Sequence, residues 1–245
     1  MTTLLKFLIV SLVSITLVQC GDFTQNSVDG VGDVIQFEIP MKAHTALHVE
    51  RGWKVVLIPS EENKIFIEAN ENLINDELVL EETNKGLIIS AKRNIRRADS
   101  KIVQVYYNSE LQLITASSSA SLVHSGKFEG ESLRVEASSG AQVEVELQVS
   151  DLVVEASSGA SISLMGEAKE AHVEASSGAL IKAENCITEA LRVEASSGAN
   201  VSVFATEEAN ASASSGAIIK VSGSPKTLNK SQSSGGSVKR VELTL

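Results

Sequence analysis

The segment Ala137-Ser138-Ser139-Gly140-Ala141 returns at 156–160, 175–179, 195–199 and 213–217. A worn copy, Ala116-Ser117-Ser118-Ser119-Ala120, precedes it, and another, Gln232-Ser233-Ser234-Gly235-Gly236, follows. From Ala137 onward the copies start 19, 19, 20, 18 and 19 residues apart. A period that short and regular marks a solenoid, in which each repeat buries its apolar face only against its neighbours.

The residues around each copy say what kind of solenoid. Leu133, Val135 and Ala137 alternate with polar residues before the corner, and Ala141, Val143 and Val145 do so after it. Leu152, Val154, Ala156, Ala160, Ile162 and Leu164 repeat the pattern one period on. Period two on both sides of a turn means two strands per coil with one face buried, whereas a helix would scatter these residues around its cylinder. Gly140, Gly159, Gly178, Gly198 and Gly216 supply the positive φ that a sharp corner needs. The paired serines are expected to hydrogen-bond backbone groups left free at the corner. Each coil is expected to close with a second turn in a variable stretch such as 166–169 or 185–188. The fold class expected is all-β: a single-stranded parallel β-helix of about 19 residues per coil over 116–245, with an N-terminal β-strand region over 34–115 capping it. In the last copies Lys230 and Gln232 enter the buried register, as in a polar cap.

Parallel stacking places equivalent residues in outer ladders about 4.8 Å apart. Glu136, Glu155, Glu174 and Glu194 form one such column, the weak candidate for a cation site. Two charges about 5 Å apart repel by only about 1 kcal/mol in water, and Arg134, His172 and Arg192 lie two positions back, so a solvated face is the plainer reading. No metal and no cofactor is expected. His44 and His48 would share one side of a strand more than about 12 Å apart, too far to grip one ion, and no such role is expected of His124 or His172 either.

Catalysis finds little support. A hydrolase serine is a single strained residue beside a His and an acid, whereas this Ser-Ser-Gly recurs in register. A polysaccharide lyase or hydrolase on a β-helix needs an acid and a base in different environments, and an evenly spaced glutamate column does not provide them. Aromatic platforms for sugar are scarce too, with 4% aromatic residues overall. Asp and Glu outnumber Lys and Arg by 31 to 21, a formal charge of −10, which argues against nucleic acid as a partner. The one basic cluster read from the sequence, Lys92-Arg93-Asn94-Ile95-Arg96-Arg97, makes Lys92, Arg93, Arg96 and Arg97 candidates for contact with anionic lipid or surface polysaccharide, against the alternative of a solvated loop.

Residues 1–20 read as a targeting segment: Lys6 supplies positive charge, and residues 7–18 form an apolar run too short to span a bilayer comfortably. Leu17-Val18-Gln19-Cys20 resembles the lipobox of bacterial lipoproteins, whose cysteine is acylated, although Gln19 departs from the small residue usual there. The alternative is a signal peptide cut elsewhere, giving a periplasmic or secreted protein. Residues 21–33 read as a short linker, and Cys186 as structural or incidental, with no histidine near it in sequence.

Over residues 34–240 the chain resembles the putative auto-transporter adhesin, head GIN domain family of Bacteroidetes lipoproteins. The likeness rests on Val49-Glu50-Arg51-Gly52-Trp53-Lys54-Val55-Val56-Leu57, on Ile65-Phe66-Ile67-Glu68-Ala69-Asn70-Glu71-Asn72-Leu73, on Gly86-Leu87-Ile88-Ile89, on 103–107 and on the Ser-Gly corners. Relatives often show Gly-Ser-Gly at the corners where this chain has Ser-Ser-Gly-Ala. The resemblance implies a two-part β fold ending in a β-helix, a cell-envelope location and no established activity. The expectation is thus a non-enzymatic binding or adhesion protein of the cell envelope, at the outer membrane or cell surface. It would be held to the membrane through Cys20, with surface polysaccharide or another envelope protein as partner. A carbohydrate-active enzyme and a structural spacer without a ligand are the alternatives.

Overall fold

The computed structural model describes residues 26–241. The targeting segment and Cys20 lie outside them. The strands are β1 (Ser27–Asp29), β2 (Val34–Pro40), β3 (Ala46–Val49), β4 (Lys54–Pro59), β5 (Lys64–Asn70), β6 (Leu78–Thr83), β7 (Gly86–Ala91), β8 (Asn94–Arg97), β9 (Lys101–Tyr107) and β10 (Leu113–Ala116). The repeat region supplies β11 (Ser121–Glu129), β12 (Ser132–Ala137), β13 (Gln142–Ala156), β14 (Ser161–Ala175), β15 (Leu180–Ala195), β16 (Asn200–Ala213), β17 (Ile218–Ser222), β18 (Thr227–Gln232) and β19 (Ser237–Arg240). A short π-helical turn, Leu73–Glu77, joins β5 to β6.

From β10 to β19 every pairing is parallel, and the stack is a β-solenoid of about seven turns about 19 residues apart. The alternation read from the sequence is the burial pattern found: in β13 Val143, Val145, Leu147, Val149, Leu152, Val154 and Ala156 point into the core. Small β-branched and Ala side chains suffice because the layer between the walls is thin and each coil is closed by the next.

The parallel ladder does not begin at residue 116, as the capping-region expectation had it. β3 and β4 pair in parallel with β10 and β11, and β7 and β9 pair in parallel with β3 and β4 in turn. The chain therefore lays down the second coil of the stack before the first. Among the described residues the antiparallel pairings are those of β5 with β9, of β6 with β7, and of β2 with the outer side of β5. They satisfy the edge that β7 and β9 would otherwise leave open. Within the expected linker, β1 is a strand paired with β8.

The corners also differ in detail from expectation. Ser139 has φ 51° and Gly140 φ 73°, and the amide of Ala141 donates to the carbonyl of Ser138 at 3.1 Å. Two positive φ values in succession are the backbone of a type I′ turn, so the second serine of each copy is as constrained as the glycine. Around Gly159 a side chain would meet nothing within 4 Å, so φ alone selects glycine there. The serines do not rescue stray backbone groups. The backbone pairs coil to coil by itself, Gly140 N–H donating to Ser158 O and Gly159 N–H to Ser177 O, each at 3.1 Å. The second turn expected in each coil interrupts the strand between β11 and β12 and between β17 and β18, but in the middle coils it is a bend within a continuous strand: β14 and β15 run through it, with register shifts after Ser163 and Ala183.

Candidate functional site

Polar side chains converge beside the corners, along the outside of the first wall, which is made by the strand stretches that lead into the corners; the stretches that leave them make the second wall. Register carries His48 onto Thr115, then Glu136, Glu155, Glu174, Glu194 and Ser212. Two residues on, where the chain enters the turn, Glu50 and the first corner serines Ser117, Ser138, Ser157, Ser176, Ser196 and Ser214 form a second column. Between them runs a groove of ≈ 580 Å³. Its residues lie here because strand alternation turns the glutamates outward and the corner holds each serine beside them.

The carboxylates are partly neutralised by their own wall. Arg134 reaches both Glu136 and Glu155 at 2.5 Å, Arg192 holds Glu194 at 2.6 Å, and His172 Nε2 lies 2.7 Å from Glu174. At the upper end His48 Nδ1 meets the Thr115 hydroxyl at 2.8 Å while Nε2 faces Lys85 O at 3.4 Å. The side chains of Glu136, Glu155, Glu174 and Glu194 are 36, 39, 51 and 44% exposed. Four acids so alike give no separated acid and base. Among the described residues no group of three or more His, Cys, Asp or Glu is placed to hold a metal ion. The corner hydroxyls make no hydrogen bond to other described residues, which leaves both columns as repeating donors and acceptors facing outward.

The basic segment 92–97 is not one anion site. Glu77, buried at 3% exposure, accepts from the Arg93 amide at 3.0 Å and from its guanidinium at 2.5 and 2.9 Å; these bonds hold the carboxyl below its ordinary range. Arg96 grips Asp29 in a bidentate pair at 2.6 and 3.0 Å. Lys92 and Arg97 have no ion pair among the described residues. Ile95 N–H donates to Arg51 O at 3.0 Å, the place a corner glycine takes in later coils, so the segment is an excursion from the first coil's corner.

Two features escaped the sequence reading. Arg51 (φ 58°) and Gly52 (φ 85°) form a corner in register with the serine corners, and Trp53, fully buried, fills the place of the corner alanine and donates its indole N–H to Ser90 O at 2.9 Å. Its signal was Gly52 between the alternating Leu47, Val49 and Val55, Leu57, hidden by the absent serines. The second is a buried pair. Tyr107 O–H lies 2.6 Å from His124 Nε2, and His124 Nδ1–H donates to Gly126 O at 3.0 Å. Burial lowers the His124 pKa and pushes the Tyr107 hydroxyl up to about 12. Cys186 is free and buried, its thiol pushed up to about 11 by burial, as an inert structural residue would be.

Fold and groove together define a capped parallel β-solenoid with a ladder of polar side chains along one side, a class built to present surface. The chain belongs to the family described as putative auto-transporter adhesin, head GIN domain, whose family model matches residues 43–225. It is similar to a solved structure described as a putative adhesin from Bacteroides fragilis, with a TM-score of 0.80 and 16% identity over 87% of this chain and 100% of that one. A structure described as a putative lipid binding protein from Parabacteroides distasonis gives a TM-score of 0.73 and 19% identity over 88% of this chain and 99% of that one. A third, described as a putative adhesin from Parabacteroides merdae, gives 0.71 and 18% over 88% and 99%. At these identities the likeness is one of fold. No curated protein matches the chain. Among the described residues no helix is long and apolar enough to cross a membrane.

Proposed function

We propose that this protein is a non-catalytic binding protein of the cell surface, exported and held to the membrane by acylation of Cys20, whose groove is its binding surface. The observation that carries the reading is the pairing of a glutamate column with a serine column at one strand spacing. A surface that repeats every coil suits an extended partner with regularly spaced cationic or hydroxyl donors, not a small substrate needing one reaction centre. Family membership and the relatives described as adhesins support binding. The relative described as lipid binding suggests a second contact, for which Lys92 and Arg97 are the cations of the basic segment that make no direct ion pair among the described residues.

The test uses the chain from Gly21, which keeps every described residue, screened against immobilised glycans and envelope extracts. Saturable binding that falls at least tenfold in the double variant Glu155→Lys, Glu174→Lys supports the groove, whereas turnover of any polysaccharide sinks the non-catalytic reading. Labelling of the full chain with radioactive palmitate in its native host, lost on Cys20→Ala, checks the anchor.

A further inference from the structure

The second wall carries a column of opposite sign. Register runs from Glu144 through Ser163 to Lys182, Ser202, Lys220 and Lys239, and these three lysines are exposed. Half-buried Leu180 and Ile218 flank them two residues back along their strands. From Ala209 to Val241 the chain has five cations, Lys220, Lys226, Lys230, Lys239 and Arg240, and no carboxylate, although the whole chain carries −10. Lys226 pairs with Glu207; the other four have no ion pair among the described residues. Lys220 and Lys239 lie directly beside one another on paired strands, an arrangement that repels unless an anion covers it.

The groove on the first wall is the complement, with five carboxylates, counting Glu50, against the guanidinium groups of Arg134 and Arg192. Both columns belong to parallel ladders, so both repeat at about 4.8 Å. Lys182 and Lys220, two coils apart, therefore span the same ~10 Å as Glu155 and Glu194, also two coils apart. Solenoids of one sequence lying side by side stay in register along the contact without strain, which an unrelated partner does only by accident.

We infer that the lysine face of one copy docks along the carboxylate groove of a second copy. This rests on the reading of the groove as a binding surface and names its partner. The contact joins two different patches, so it does not close on itself and association is open-ended. It is electrostatic, so it weakens as salt shortens the screening length.

Analytical ultracentrifugation of the chain from Gly21 tests this. The wild type forms concentration-dependent oligomers at about 50 mM salt that dissociate at about 500 mM, where the Debye length is several-fold shorter than at low salt. The variant Lys220→Glu, Lys239→Glu and the variant Glu155→Lys, Glu174→Lys each sediment as monomers under the same low salt, and mixing them restores association. That rescue also shows that both are folded. A wild type that stays monomeric at low salt overturns the inference, as do oligomers that survive both reversals. If the groove variant still loses a glycan or envelope ligand, the binding role of the groove stands and only its occupant is wrong. If it changes neither association nor ligand binding, both readings fall.

Discussion

At the scale of single residues, two glycines separate conformational cost from steric cost. Gly159 sits at φ 72° in open space, so Gly159→Ala meets only the left-handed backbone penalty, about 1 kcal/mol. Gly166, at φ 106°, has Leu147 O only 1.9 Å from where a Cβ would stand. That oxygen is backbone of the adjoining coil and cannot move without breaking the ladder, so Gly166→Ala is expected to cost about 3 kcal/mol or more. Denaturant unfolding of the two variants checks the order. His124 gives a pH signature. Its folded pKa lies below the unfolded value of about 6.5, so the fold releases the proton that the unfolded chain keeps. Its contribution to stability is complete above about pH 6.5 and is lost as pH falls through the folded pKa. Subtracting the melting profile of His124→Asn from that of the wild type isolates this slope, and a flat difference below pH 6.5 would contradict it.

At the scale of elements, β8 and the basic segment stand outside the strands of the main stack: β8 pairs only with β1, and the ion pairs to Glu77 and Asp29 fasten the segment among the described residues. The depressed carboxyl of Glu77 stabilises the fold above its unfolded pKa of about 4.3, and this stabilisation is lost as pH falls through the lower folded value. Glu77→Gln is expected to cost about 1 kcal/mol at neutral pH and to speed amide exchange across 92–97 while leaving exchange in β13–β15 unchanged. The glutamate column and the corner glycines were legible because both follow from an exact local repeat. The roles of Arg93 and Arg96 were not: Asp29 lies 67 residues from Arg96, and a run of cations in sequence says nothing about which carboxylates fold back onto it.

At the scale of the molecule, the stack is open at one end among the described residues. β18 and β19 each pair on one side only, and three of the inward positions of that last coil, beside Leu228 and Val238, hold Lys230, Gln232 and Arg240 where the coil before has Ala211, Ala213 and Val221. Gln232 Oε1 accepts the Val238 amide at 2.8 Å, so one inward polar group ties the edge to itself. Replacing Lys230 and Arg240 with valine is expected to turn this end into an apolar edge and drive end-to-end aggregation, read by light scattering at constant salt. Salt insensitivity would distinguish such aggregates from association through the lysine face.

The sequence alone determined the period, the alternating walls, the glycine corners and the polar final coil, because each is a local pattern of residue type and 19-residue spacing makes neighbours of successive copies. Tertiary structure decided the rest. β3 and β4 lie between β7–β9 and β10–β11, bringing Val49 beside Ala116 across 67 positions, and no local pattern encodes that order. It also decided that Arg51-Gly52 is a corner without serine, and that the two outer columns carry opposite charge. Which cations and carboxylates share a face depends on which wall each strand joins, and only stacking the coils settles that.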